Sequence, residues 1–275
     1  MHQNQKIFYH PGLGKTGTTY LQYKFFPKLK GIQYIQRTRY KRVEEIIRKS
    51  DAKKLLVSRE FDRQFYDEVD KFSRKFPDAY PVLVLRRHDK WIASQYRRLT
   101  KNGRGHTFRE FIDVDKNTGR WDKSVLNFFE KIQFLEEKFQ RKPLVLFHEE
   151  LKSNPTMFFN RIAGFTETTY DSNSISLSSK HVSYSEEQLK AVRNIARKTF
   201  FKWKGKALGH DGSMERRVRK VLCHAIMYLH FLFPKDTPPE MPLIPVEDLE
   251  HIKKKYASDW QQCITYAEKN NPEVR

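Results

Sequence analysis

Short apolar runs alternate with longer amphipathic stretches along this chain. The apolar runs predict strands at residues 7–10, 54–58, 80–85 and 143–147. The other stretches predict a helix from Thr18, further helices at 42–49, 61–76, 91–99, 124–139, 158–165, 186–200 and 214–233, and a final amphipathic helix from Val246. Such alternation is typical of a parallel sheet covered on both faces. We therefore predict an α/β fold, with a central parallel sheet flanked by helices and a helical C-terminal part.

Polar residues follow the ends of three predicted strands. Glu60, Arg86 and His148 each stand just after such a strand. In open α/β sheets, ligands bind at this carboxyl edge. The chain has no repeats and no clear linker, since the serine-rich connector at 172–179 and the proline-rich loop at 234–245 are short. We therefore predict one domain over residues 1–275.

The composition indicates a globular chain with a sizeable core. Hydrophobic residues make up 38% and aromatic residues 14% of the sequence. No apolar run approaches the roughly 18 residues of a membrane span, and the start of the chain lacks the pattern of a signal peptide. Cys223 and Cys263, the two cysteines, have no metal-ligand spacing and predict no disulfide framework. We expect a cytoplasmic protein with free thiols.

The formal charge of +20 predicts an anionic partner. A field of this sign attracts nucleotides, acidic polysaccharides, nucleic acid or a lipid surface, and it allows peripheral contact with anionic surfaces. Many of the lysines and arginines can equally form a solvated face. No nucleic-acid fold signature is present, and we expect no nucleic-acid partner.

Residues 10–22 combine the features of a phosphate-binding loop. A turn between a strand and a helix offers backbone N–H groups to an anion. Glycines permit a tight turn and positive φ angles, and Lys15 adds a full charge. The segment contains three glycines and three threonines, namely Gly12, Gly14, Gly17, Thr16, Thr18 and Thr19.

A nucleoside-triphosphate loop is the main rival interpretation. Gly14-Lys15-Thr16 matches the end of G-x-x-x-x-G-K-[ST], but the first glycine of that motif falls on Tyr9. A second strand ending in aspartate is also missing. A nucleotide-dependent kinase remains an alternative, as does a non-catalytic binder of nucleic acid or acidic glycan.

Two segments resemble signatures of the sulfotransferase family that uses 3′-phosphoadenosine 5′-phosphosulfate (PAPS). The likeness is to the carbohydrate-type or bacterial sulfotransferases of that family. Residues 10–22 are similar to the first signature of that family, with Gly14 where a proline is usual. Residues 86–96 resemble the second, in which an arginine ends a strand and a serine follows eight residues later. Arg86 and Ser94 match this spacing, and His88 stands where a proline is usual. The resemblance implies the P-loop-like sulfotransferase fold.

The resemblance also implies roles for individual residues of the two segments. Lys15 would reach the bridging oxygen and the sulfuryl group, and Arg86 and Ser94 would hold the 3′-phosphate of PAPS. The transfer would be in-line, as in phosphoryl transfer, and would need no metal. The 5′-phosphate would be bound by Thr16, Gly17, Thr18 and Thr19.

The acceptor hydroxyl requires a general base within hydrogen-bond reach. Glu60 is the first candidate, because Ser58-Arg59-Glu60 resembles the Ser-x-Glu context of carbohydrate sulfotransferases. A structural ion pair of Glu60 with an arginine is the competing interpretation. His106 is the alternative base, by likeness to sulfotransferases of small molecules, and His10 is expected to support the loop. The basic segment 204–206 is a weak candidate for closing the cofactor site. The Glu60 context and the strongly basic surface predict a carbohydrate acceptor.

Overall fold

A five-stranded parallel sheet organises the computed structural model, which describes residues 5–176, 184–199, 213–232 and 242–273. The strand order is β2-β3-β1-β4-β5, and every pair is parallel. The strands are β1 (Lys6–Gly12), β2 (Gln33–Ile35), β3 (Lys54–Glu60), β4 (Tyr80–Leu85) and β5 (Leu144–Phe147). The predicted α/β class and parallel sheet are confirmed.

Twelve α-helices occur in the described ranges. They are α1 (Thr18–Tyr20), α2 (Val43–Arg48), α3 (Phe65–Ser73), α4 (His88–Lys101), α5 (Phe108–Phe111), α6 (Phe128–Phe139), α7 (His148–Ser153), α8 (Pro155–Phe165), α9 (Glu186–Thr199), α10 (Ser213–Tyr228), α11 (Val246–Lys255) and α12 (Ala257–Asn270). A π-helical turn, Leu21–Phe25, continues α1. The predicted helical C-terminal part is also confirmed.

The chain divides into two compact units. Unit 1 comprises the described residues within 1–88, 125–178 and 256–275, and it contains the whole sheet. Unit 2 comprises those within 89–124 and 179–255, and it is helical. Because both units combine separate stretches of chain, the division follows no single break in the sequence. The single domain stays a prediction.

The central strand β1 is buried on both of its faces. Phe8 lies in an apolar cluster with Leu56 of β3 and Phe159 of α8. Tyr9 points to the opposite face, where its ring stacks on Phe72 of α3 with 3.8 Å between centroids. Burial on both faces explains why the strands read as continuous apolar runs rather than as alternating ones.

Several element boundaries differ from the predicted ones. The helix predicted at 61–76 begins only at Phe65, because the N–H of Phe61 donates to the carbonyl of Gly12 at 2.8 Å and keeps this residue in the turn after β3. The helix predicted at 124–139 is a 3₁₀ turn, Lys123–Leu126, followed by α6. The final helix is interrupted at Tyr256 and forms α11 and α12. The short strand β2 was not predicted.

Asp259 of α12 supplies the cap that α6 lacks in its own sequence. The N-cap residue Asn127 makes no side-chain cap bond. Instead, the N–H groups of Phe128 and Phe129 donate to the Asp259 carboxylate, each at 3.2 Å. The same carboxylate lies 2.9 Å from Nε2 of the buried His88. One side chain therefore joins α12, the start of α6 and His88, which follows β4, within unit 1.

Replacement of this carboxylate should destabilise the fold. We expect Asp259→Ala to lower the free energy of unfolding by about 2–4 kcal/mol, because buried donors lose their acceptor. Urea unfolding measures the change. Glu268→Ala, at an exposed position of the same helix, is the control and should stay within about 0.5 kcal/mol of the wild type. Equal effects of the two substitutions would contradict the capping role.

Candidate anion-binding and active site

The predicted phosphate loop lies at the carboxyl end of the central strand. β1 ends at Gly12 and α1 begins at Thr18. Gly12 pairs in register with Glu60 at the end of β3. Since β1 lies between β3 and β4, the loop emerges between the ends of both neighbours.

Two residues of the loop have a left-handed backbone conformation. Gly17 has a φ of 87° and Lys15 a φ of 71°, although this region costs a residue with a Cβ about 1–2 kcal/mol. Nη1 of Arg86 donates to the Lys15 carbonyl at 3.2 Å. Strained residues of this kind collect at ligand clamps, and Gly17, the N-cap residue of the helix that follows, has no side chain to cap it. Anion binding by this turn stays a prediction.

The threonine hydroxyls divide into two groups. Those of Thr16 and Thr18 are buried and donate to the carbonyl of Leu13, at 2.7 and 2.9 Å. Thr19 is exposed, and its hydroxyl donates to Oε1 of Glu60 at 3.2 Å. The first two therefore hold the turn together from inside, while the third lies at its surface. Contacts of these residues with a 5′-phosphate stay a prediction.

Two glycines of the loop are closely packed against neighbouring side chains. A Cβ at Gly12 would lie 2.8 Å from Cγ2 of Thr18. A Cβ at Gly17 would lie 2.8 Å from Cδ2 of Leu151 and 3.4 Å from Cδ2 of His148. Glycine therefore fits the turn at both positions without displacing these side chains, and at Gly17 it also suits the positive φ.

Gly14 makes a contact that the family's usual proline could not make. Its N–H donates to Oδ1 of Asp62 at 2.9 Å, and proline has no N–H. Asp62 follows β3 and stands two residues after Glu60. The departure at Gly14 therefore ties the loop to the end of the adjacent strand.

A buried polar network lies beneath the loop. Nδ1 of His10 is 2.8 Å from Oγ of Ser58, and Nε2 of Gln22 donates to the same oxygen at 2.9 Å. Burial lowers the pKa of His10 to about 3, so this imidazole is neutral. A Cβ at Gly12 would lie 2.8 Å from its Cε1. Ser58 of the Ser-x-Glu segment therefore faces inward and supports β1.

Glu60 is half-buried beside the loop. Its contact with Thr19 and its register with Gly12 bring it to the end of β1. Within the described part of the chain it forms no ion pair: its neighbour Arg59 donates instead to the carbonyl of Arg37 at 3.0 Å. The carboxylate is therefore not committed to a structural ion pair among these residues.

His148 also lies at this edge of the sheet, although the sequence indicated it only as a polar residue after a predicted strand. It begins α7, directly after β5, and contacts the loop near Gly17. Burial lowers its pKa to about 4, and the charges of Arg86, Lys152 and Lys15 add to this effect. A neutral imidazole thus stands among three cations at the edge of the sheet. The polar residue after a predicted strand was the signal for it.

Ser94 and His106 belong to unit 2. Ser94 lies in α4 and is partly buried. His106 precedes α5, its carbonyl accepts from the hydroxyl of Tyr96 at 2.7 Å, and burial followed by the charge of Arg120 lowers its pKa. Their predicted roles stay predictions. The basic segment 204–206 lies outside the described residues.

The fold is similar to that of solved sulfotransferases. A sulfotransferase from Alicyclobacillus acidocaldarius aligns with 78% of this chain and 99% of its own, with a TM-score of 0.50 and 15% identity. Mouse sulfotransferase SULT7A1 complexed with PAP aligns over 98% of this chain and 86% of its own, with a TM-score of 0.37 and 14% identity. The first likeness establishes the fold. No protein-family model matches the sequence, and no curated protein matches it.

The described ranges contain neither a metal-binding cluster nor a membrane-spanning helix. No group of three or more His, Cys, Asp or Glu side chains in them is arranged to hold a metal ion. None of the helices in these ranges is both long and apolar enough to cross a membrane. Cys223 and Cys263 are free and buried.

Acidification should destabilise the fold through His148. Its pKa is about 4 in the folded chain against an ordinary 6.5, so below pH 6.5 the unfolded chain binds a proton that the folded chain does not. Stability is therefore full above pH 6.5 and falls towards pH 4. Allowing for partial exposure, we expect about 1 kcal/mol of loss between pH 7 and 5 from this residue.

Urea unfolding of His148→Gln at both pH values checks this. The variant should lose about 1 kcal/mol less than the wild type on acidification. His10 is present in both proteins and cancels from the comparison. Parallel losses would show that His148 does not carry the effect.

Proposed function

We propose that this chain is a PAPS-dependent sulfotransferase that transfers a sulfuryl group in-line to the hydroxyl of a carbohydrate. One observation carries the proposal. The glycine-rich loop of unit 1 has the carboxylate of Glu60 at one side, hydrogen-bonded to Thr19. At its other side, Arg86 donates a hydrogen bond to the loop backbone. Sulfuryl transfer needs an anion cradle and a proton acceptor close together. The Ser58-Arg59-Glu60 context supports a carbohydrate acceptor.

The residues of the loop fit a nucleotide phosphosulfate. Left-handed backbone at Lys15 and Gly17, the uncapped start of α1 and the Lys15 charge suit a phosphate at this position. Arg86 would hold a second phosphate, together with Ser94 as the family resemblance implies. When bound, PAPS would supply the sulfuryl group that is transferred.

Lys15 and Arg86 would stabilise negative charge at the loop. The Lys15 side chain is exposed at the tip of the turn. Its ammonium group can there stabilise the negative charge that develops during transfer. The bond from Arg86 to the Lys15 carbonyl keeps the backbone of the turn in place. Preorganised charge of this kind needs little rearrangement at the moment of reaction.

Glu60 would accept the proton of the acceptor hydroxyl. Its carboxylate is half-buried, and its hydrogen bond with Thr19 orients it at the entrance of the loop. The absence of an ion pair to it, among the described residues, supports a role as base. His106 remains the alternative base.

Nucleotide binding tests the cofactor. Adenosine 3′,5′-bisphosphate should raise the thermal midpoint, since a ligand at a hundred times its dissociation constant adds about 2.7 kcal/mol of stability. ATP with Mg²⁺ at the same concentration should have a much smaller effect. Stabilisation by ATP and not by the bisphosphate would instead favour a kinase.

Arg86→Ala should weaken binding of the bisphosphate. We expect a loss of about 2–5 kcal/mol, the scale for truncating one partner of a buried charge pair, measured by isothermal titration calorimetry. Arg74→Ala removes an exposed arginine directly after α3 and serves as the matched control. An affinity equal to that of the control would remove Arg86 from the site.

Glu60→Gln should keep bisphosphate binding and lose transfer. We expect the rate to fall by about 10²–10⁴, the range for general bases. The measurement is ³⁵S transfer from labelled PAPS to the best acceptor in a panel of saccharides, with His106→Gln in parallel. Full activity of Glu60→Gln with loss in His106→Gln would move the base to His106.

A further inference from the structure

Helix α10 of unit 2 has apolar residues on two of its faces, and only one of these faces is buried. The buried face contains Cys223, Ile226 and Met227. It packs against α9 and against the turn before that helix, where the side-chain amide of Gln188 donates to the carbonyl of Met227 at 3.1 Å. This face therefore anchors α10 within unit 2, and the packing does not use the second one.

The second apolar face of α10 is exposed. Val221 is 67% and Tyr228 68% exposed. Phe231 and Leu232, in the 3₁₀ turn His230–Leu232 that follows the helix, are 69% and 66% exposed. The residues of this face recur at the spacing of a single helical stripe, and they are Val218, Val221, Leu222, Ala225, Tyr228 and Leu229.

An exposed stripe of this length indicates a binding surface. Amphipathic helices normally turn such a stripe towards the core, and single exposed apolar residues are common, whereas contiguous apolar patches mark sites of contact with proteins or membranes. We call this surface, made by the six residues of the stripe together with Phe231 and Leu232, the α10 apolar face.

Basic residues border the α10 apolar face. With 3.6 residues per turn, Arg217, Lys220 and His224 lie on the side of the helix between its two apolar faces. Arg217 and Lys220 are exposed. The sequence from residue 216 to residue 232 contains no aspartate or glutamate. This part of the surface therefore combines apolar and basic character without an acidic residue of its own.

The charge of the chain decides between the partners that an apolar face can bind. A second copy of the chain would bring its own formal charge of +20 to the contact, and like charges across an interface oppose association. An anionic bilayer offers negative headgroups and apolar chains together. Helices that lie in the membrane interface have basic residues on the polar face and aromatic or leucine residues on the other. The α10 surface has both features.

We propose that the α10 apolar face binds to the surface of an anionic phospholipid membrane, with the helix axis in the plane of the bilayer. Its apolar side chains would enter the boundary between headgroups and acyl chains, where tyrosines such as Tyr228 are enriched. Arg217 and Lys220 would lie at the level of the headgroup phosphates. The proposal goes beyond the proposed function, because it concerns α10 in unit 2 and requires neither nucleotide nor transfer.

Flotation with phosphatidylcholine vesicles that contain about 30% phosphatidylserine tests the proposal. Val221→Gln/Tyr228→Gln replaces two exposed residues of the face and leaves the charge unchanged. Val246→Gln/Tyr23→Gln is the control, because it replaces the same residue types at 66% and 55% exposed positions outside α10. We expect the wild type to bind these vesicles, the α10 variant to bind at least tenfold more weakly because it inserts less apolar surface, and the control to lose less than twofold. Absence of wild-type binding, or equal losses in both variants, would overturn the proposal.

Three further measurements separate the other occupants of this face. Vesicles of phosphatidylcholine alone should bind the wild type much more weakly, and equal binding would overturn the anionic partner. The thermal midpoint of the α10 variant should stay within about 2 °C of the wild type. A larger decrease would assign the face to packing within this chain and overturn the proposal. Sedimentation velocity should give the same mass for the wild type and the α10 variant, whereas a wild-type dimer that the substitutions dissociate would assign the face to a second copy. Failure of sulfuryl transfer with retained vesicle binding would affect only the proposed function.

Discussion

The central position of β1 between β3 and β4 is the constraint on which the candidate site depends. Parallel strands end at one edge of the sheet, so the loop after β1 meets whatever follows its two neighbours. Glu60 and Asp62 come from the β3 side, and Arg86 from the β4 side. The burial of Phe8 and Tyr9 on opposite faces keeps β1 in this place. The site therefore depends on the core that anchors its central strand.

Two positions at which the sequence differs from the sulfotransferase signatures that it resembles have structural partners. Gly14, where those signatures usually have a proline, has a backbone N–H that donates to Asp62. His88, which also replaces a proline, begins α4 with its ring stacked on Phe128 and Tyr256, at 4.2 and 5.1 Å between centroids, and with Asp259 at its Nε2. In both cases a proline would forgo a hydrogen bond that the chain makes here. These substitutions alter how the loop and α6 are supported.

The fold and the loop could be predicted because local sequence determines them. Strands buried on both faces leave continuous apolar runs, and glycine favours the left-handed backbone of the turn at Gly17. Other features depend on tertiary contacts. The three residues of β2 form a strand through pairing with β3, and α6 begins where Asp259 caps it, 131 residues from Phe128 along the chain. The inward orientation of the Thr16 and Thr18 hydroxyls follows from the position of the Leu13 carbonyl, which no spacing rule contains.

The cations near the loop also affect the state of His148. Burial lowers the pKa of this imidazole and keeps it neutral, and the charges of Arg86, Lys152 and Lys15 add to the effect. Protonation of His148 would add a fourth positive charge, which these three cations repel. A bound phosphate would offset the charges of Lys15 and Arg86 and so reduce the repulsion. An anion in the loop would therefore raise the pKa of His148. By linkage, protonation of His148 would strengthen anion binding by the same factor. If the loop binds an anion as proposed, its affinity and the charge of the neighbouring His148 would therefore be coupled.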